Sequence, residues 1–190
     1  MRRALPVVVA LVAAAPAAEE AGRIMRPAPR SIYPPGEVDI AATAPAGKLE
    51  LDGRAVTATQ PFPDVWHAKV KPGAGLHTLA LSWEGGRQEV QFFVAAGGGP
   101  AAPAGYLPFR PHPPGADTEC TECHELSPRG RFRFKTGACF DCHQREGFAK
   151  VHTHEPAQLA ECGMCHNPHG STAKAHLRYS KETACKQCHD

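Results

Sequence analysis

Cys120-Thr-Glu-Cys123-His124, Cys139-Phe-Asp-Cys142-His143, Cys162-Gly-Met-Cys165-His166 and Cys185-Lys-Gln-Cys188-His189 are four copies of one pattern, and they decide how the second half of this chain is organised. Each reads C-x-x-C-H, the attachment pattern of a c-type haem. Two thiols three residues apart reach the two vinyl groups of one porphyrin, and the next histidine supplies a nitrogen to the iron. The competing chemistry is a pair of zinc sites built from C-x-x-C knuckles, and the Cys123 to Cys139 gap would suit a zinc ribbon. Zinc gives no reason for a histidine after every pair. With 11 His in 190 residues, four of four by composition alone is roughly one in 10^5. All 8 cysteines are used, which leaves no thiol for a disulfide framework. The expected cofactors are four covalently attached haem c groups.

From His112 to Asp190 the chain is poor in Leu, Ile and Val and offers about 20 residues per haem, too few for a core of their own. The porphyrins must act as the apolar plates that short helices and loops wrap. A repeat runs through this region. His112-Pro-Pro114 stands eight residues before Cys120, and His154-Glu-Pro156 stands eight before Cys162. Each is followed by one C-x-x-C-H, a spacer, and Ala-Cys opening a second: Ala138-Cys139 in the first copy, Ala184-Cys185 in the second. The second copy adds Asn167-Pro168-His169-Gly170-Ser171 directly after its first motif. Over residues 112–189 the chain resembles the doubled C-x-x-C-H family of multihaem cytochromes, in which H-x-P and C-H-N-P-H-G recur. The resemblance implies bis-histidine haems in an electron-transfer module. The first copy departs from it, because Ser127 stands where the second has His169.

Counting ligands leads the same way. His124, His143, His166 and His189 are the proximal set. His112, His152, His154, His169 and His176 are five candidates for four distal places. Methionine, the ligand that raises potential, is nearly missing, and Met164 lies inside a C-x-x-C loop. His112, His154 and His169 are marked by the repeat, and of His152 and His176 the former is favoured for the fourth place. Spacing does not say which distal histidine serves which haem. His166 and His169 do not share an iron, since three residues cannot carry the chain from one porphyrin face to the other. The run Arg129-Gly-Arg131-Phe132-Arg133-Phe134-Lys135 reads as cations for haem propionates with Phe132 and Phe134 on porphyrin edges, in preference to a docking patch for an acidic partner.

The other half has different physics. Residues 24–96 alternate apolar and polar side chains in short runs, Glu37–Ile40, Lys48–Leu51, Val65–Val70, Leu76–Trp83 and Gln88–Val94, with Asp52-Gly53 and Gly85-Gly86 as hairpin signals. About 70 residues without cysteine predict an all-β, Ig-like sandwich. His67 and His77 fall there and read as structural. Residues 97–111, Gly-rich and then Pro-rich, read as a linker, and 112–190 as the tetrahaem cytochrome c domain.

Residues 1–18, with Arg2 and Arg3 before an apolar run and Ala15-Pro-Ala17 at its end, read as a signal peptide. That run is too short to span a bilayer, which needs about 20 residues, so no transmembrane segment is expected. Without Arg2 and Arg3 the basic and acidic residues balance at 19 each. Four ferric haems with their propionates take the total to about −4, and nothing points to nucleic acid. The expectation is a periplasmic or extracellular cytochrome that relays electrons between redox proteins or other cytochromes. The β domain would serve as the docking surface, for a partner or for self-assembly into a filament, and the relay itself would survive removal of 24–96. The alternatives are a reductase with one open-site haem and a haem-based redox sensor.

Overall fold

The computed structural model describes residues 22–112, 119–144 and 162–187. The signal segment 1–18, His152, His154, Cys188 and His189 lie outside the described residues.

The strands are β1 (Arg23–Arg26), β2 (Ser31–Tyr33), β3 (Val38–Thr43), β4 (Lys48–Leu51), β5 (Arg54–Ala55), β6 (Thr59–Phe62), β7 (Val65–Val70), β8 (Gly75–Trp83) and β9 (Gly86–Val94). After them come β10 (Leu107–Pro108), β11 (His124–Leu126) and β12 (Phe132–Phe134). Two sheets, ordered β1-β3-β7-β6 and β10-β2-β9-β8-β4-β5, face each other as a sandwich. Period-two patterning sets the inner faces. Val38, Ile40 and Ala42 of β3 are buried from one side, and Leu79, Leu81, Val90 and Phe92 from the other. Each fully buried Leu or Phe contributes roughly 1.5–3 kcal/mol by leaving water.

Asp52 and Gly53 form the two-residue loop between β4 and β5, both at positive φ (51° and 76°), as a primed turn requires. The β8–β9 hairpin turns on Glu84 and Gly85, with Gly86 already paired to Trp83. β1, β2, β5 and β6 are too short, or in β6 too proline-marked, to stand out by alternation. Their neighbours recruit them, β2 by running parallel to β9.

The sheet also reaches into the segment whose composition suggests a linker. Leu107 and Pro108 lie parallel to Ser31 and Ile32 as the outermost strand, β10. Proline has no N–H to give a ladder, and an edge strand needs only one side. Phe109 then stacks on Tyr33, ring centres 4.6 Å apart. Residues 97–111 are thus partly built into the β domain. The two histidines of the sandwich make contacts within it. Both ring nitrogens of His77 are engaged, by Asp52 Oδ2 at 2.7 Å and the Gly73 carbonyl at 2.8 Å, and His67 lies 3.7 Å from Asp39.

The remaining described elements are short: α1 (Cys120–Cys123), α2 (Lys181–Cys185), single 3-10 turns at Ala138–Asp141, Cys162–Met164 and Lys174–His176, and the β11–β12 hairpin. Among the described residues no helix is long and apolar enough to cross a membrane.

Candidate haem-attachment site

The three C-x-x-C-H motifs that are fully described share one local geometry. In each, the histidine N–H donates to the carbonyl of the first cysteine: His124 to Cys120, His143 to Cys139 (2.9 Å) and His166 to Cys162 (2.9 Å). Residues separated by three and four along one helical turn lie on one side of it. A single turn therefore gathers two thiols and an imidazole without help from the rest of the fold. α1 is closed at its start by a capping box between Glu119 and Glu122. The described cysteines are all unpaired and partly or fully exposed, as thioether formation requires. Cys185 ends α2, which Ser180 caps by accepting from the Thr183 amide at 3.2 Å.

The loop after His166 is built from its own sequence. Asn167-Pro168-His169-Gly170 makes a turn in which the Gly170 N–H donates to the Asn167 carbonyl (3.0 Å) and the His169 N–H to Asn167 Oδ1 (3.1 Å). Asn first, Pro second and Gly fourth is the preferred composition of the commonest β-turn. The segment 174–178 returns antiparallel to 165–167, with Arg178 N–H on the Cys165 carbonyl at 2.9 Å and Asn167 N–H on the His176 carbonyl at 2.7 Å. His166 Nδ1 lies 2.7 Å from the Ala175 carbonyl. A carbonyl there holds the proton on Nδ1 and leaves Nε2 free to ligate.

Two sets of histidines come together. His124 and His169 lie parallel, 3° between planes and 5.9 Å between ring centres. An iron held between two imidazoles at about 2 Å per bond, the length seen for other metals, sets ring centres roughly 6 Å apart. Phe132 stacks on His124 at 4.6 Å and Phe134 meets it edge-on at 5.6 Å. His112 lies 6.0 Å from His143 and 5.5 Å from His176. Burial, followed by the neighbouring Arg26 charge, pushes His169 down to about 4. Burial also lowers His124 and His112. All three stay neutral near pH 7, the form that ligates a metal. The Nδ1 atoms of His124, His169 and His176 are buried without a hydrogen-bond partner among the described residues. A haem iron would take Nε2 of such a ring, while Nδ1 is the nitrogen whose hydrogen bond orients it, as in His166. On these grounds the residues fit covalent haem, held by the cysteine pairs and the paired imidazoles.

Phe132 and Phe134 were expected on porphyrin edges. They pack on the His124 imidazole, from one face of β12, which pairs His124 with Phe134. Arg133 points the other way, onto Glu125.

No curated protein matches the chain. Among solved structures, the FMN-binding β-glucuronidase of Facaelibacterium prausnitzii L2-6 is 17% identical over 45% of this chain, with a TM-score of 0.34, and the match spans 13% of that chain. The fibronectin(III)-like modules of Clostridium thermocellum CbhA are 17% identical over 38% of this chain and 94% of theirs, with a TM-score of 0.31. Residues 154–190 match the family described as the doubled CXXCH motif. That stretch holds the third and fourth motifs and His169, and it carries the doubled CXXCH motif of multihaem c-type cytochromes.

Proposed function

We propose that this chain is an exported tetrahaem c-type cytochrome that relays electrons and performs no substrate chemistry of its own. The observation that carries the proposal is the facing pair His124 and His169, parallel and 5.9 Å apart. A haem held by both imidazoles would keep no coordination site for a substrate. When bound, haem supplies one-electron chemistry; the protein supplies attachment, geometry and potential. Each cysteine pair would anchor a porphyrin, and the histidine that follows it would ligate the iron. Phe132 and Phe134 exclude water from the His124 ring. The Ala175 carbonyl fixes the tautomer of His166. In the absence of methionine ligands the potentials are low. His152 and His154 complete the distal set with His112 and His169, and the 5.5 Å approach of His176 to His112 makes His176 the competitor for the last place. An Ig-like β domain, export through residues 1–18, and redox proteins or further copies as partners complete the reading.

Low-temperature electron paramagnetic resonance of the ferric holoprotein tests it. The expected result is four low-spin signals, with carbon monoxide binding slowly and weakly to every ferrous haem. A high-spin signal, with rapid carbon monoxide binding at one iron, would overturn the relay in favour of a reductase or a sensor.

A further inference from the structure

Every described contact that steadies the His124–His169 pair from outside the haem half comes from the sandwich. On the His169 side, Arg26 of β1 donates from Nε to the His169 carbonyl. The same guanidinium reaches Asp39 of β3 at 3.3 Å, so the arm is tied to the sheet. Two residues on, Arg110 and Ser171 form an antiparallel bridge, N–H to carbonyl at 2.9 and 3.1 Å in the two directions. Between them Gly170, at φ +97°, lies against the Phe109 ring; a Cβ there would meet the Arg110 carbonyl at 2.7 Å as well as the ring. Phe109 is itself stacked on Tyr33 and packed on the core. On the His124 side, Phe62 of β6 packs on Phe132 at 5.0 Å, and Phe132 stacks on His124.

We infer that the β sandwich is the positioning frame of this haem's axial ligands: Arg26, Phe109 and Arg110 fix the His169 turn, and Phe62 backs Phe132 against His124. The inference rests on the reading of His124 and His169 as a ligand pair. A ligand turn of four residues has little rigidity of its own, whereas a sheet strand is held by its ladder, so the sandwich supplies the stiffness. Groups that orient a metal's ligands change its affinity by about 10–100-fold when removed. The β domain is then part of the electron-transfer unit, and removal of 24–96 does not leave the relay intact.

The test uses the full-length holoprotein with four variants, Arg26→Met, Phe109→Ala, Phe62→Ala and, as reference, His169→Ala. Haem content is checked by mass. The readouts are the low-spin resonance signals and the rate of carbon monoxide binding to the reduced protein. His169→Ala marks the haem in question by converting one signal and opening one iron. Arg26→Met and Phe109→Ala are expected to shift that same signal and raise carbon monoxide binding at that iron on the order of 10-fold or more, with the other three signals unchanged. Arg26→Lys restores the signal by keeping a cationic donor at the carbonyl. If His169→Ala alters one haem while Arg26→Met, Phe109→Ala and Phe62→Ala all leave it as it was, the frame is wrong and the ligand pair stands. If His169→Ala alters none, the ligand reading itself falls, and the frame with it. Should Phe109→Ala not fold, Phe109→Leu keeps the apolar fill beneath Gly170 and is judged by the same signals.

Discussion

Ser127 and His169 occupy the same place in the two copies of the repeat, three residues after a C-x-x-C-H histidine, and the chain uses them for opposite purposes. Ser127 closes the β11–β12 hairpin. Its N–H donates to the Arg131 carbonyl at 2.8 Å, its carbonyl accepts from Gly130 at 2.8 Å, and its Oγ accepts from the Arg131 N–H at 3.1 Å. The hairpin puts Phe132 and Phe134 on His124, and under the proposed function His169 of the second copy would supply the ligand that the first copy lacks. A histidine at 127 would be committed to the turn. The variant His169→Ala/Ser127→His is therefore expected to keep the spectral defect of His169→Ala, and a return of the fourth low-spin signal would contradict it. At this scale the sequence was most legible where chemistry demands adjacency, as in C-x-x-C-H. It was silent on pairing, because His124 and His169 meet through tertiary contacts that spacing does not encode.

Among elements, the long strands β3, β7, β8 and β9 could be read from alternation because their two faces see different solvents. Strands β1, β2 and β10 could not, since two to four residues carry too little pattern and depend on a neighbour's ladder. Position 107–108 is the sharpest case: a Pro-containing dipeptide after a Gly-rich run reads as linker, yet β2 takes it as an edge. Two outcomes belong here. Leu81→Ala, which empties a fully buried position on β8, should lower unfolding free energy by about 2–5 kcal/mol, read by denaturant titration of the far-ultraviolet signal. Gly53→Ala places a Cβ at φ 76° and should cost about 1–2 kcal/mol. An unchanged midpoint for Gly53→Ala would mean the turn is not primed in solution.

Asp52 links that turn to β8, accepting from the Thr78 N–H at 2.8 Å and meeting His77 at 2.7 Å. Burial pushes its carboxyl up, but the His77 and Thr78 hydrogen bonds and the His77 and Arg54 charges outweigh this and hold it below 3.8. A carboxylate with a depressed folded pKa stabilises fully above its unfolded value and loses that stabilisation as pH falls through the folded one. The difference in melting temperature between wild type and Asp52→Ala should therefore be constant near neutrality and narrow below about pH 3.8. A gap that widened below about pH 3.8 would contradict a depressed carboxyl at Asp52.

For the molecule as a whole, four motifs call for four thioether-bound haems. The mass of the purified holoprotein should exceed that of its polypeptide by about 2.5 kDa, one haem per motif. Two haems, or zinc, would defeat the cytochrome reading. The division into a β half and a haem half was visible in composition, because alternation and cysteine content change abruptly near residue 100. Their union was not, since Arg26, Phe62 and Phe109 look like ordinary β-domain residues until the contacts with His169, Phe132 and Gly170 are seen.

The bridge between Arg110 and Ser171 makes the intervening chain a closed excursion, tied at both feet to the sandwich. In the sequence, the first three attachment motifs lie between its two feet, and the fourth follows the second foot. Closing a loop carries an entropic cost that grows only slowly with length, so one bridge and one stacked ring can hold three haem sites within a confined volume. Among the described residues, α2 before the last motif is held by bonds within its own turn, Ala184 N–H to the Ser180 carbonyl at 2.8 Å and Lys186 N–H to the Glu182 carbonyl at 3.1 Å. Cutting the chain after Tyr179 should therefore release one haem and leave a three-haem particle in which the His124 and His169 signal is unaltered.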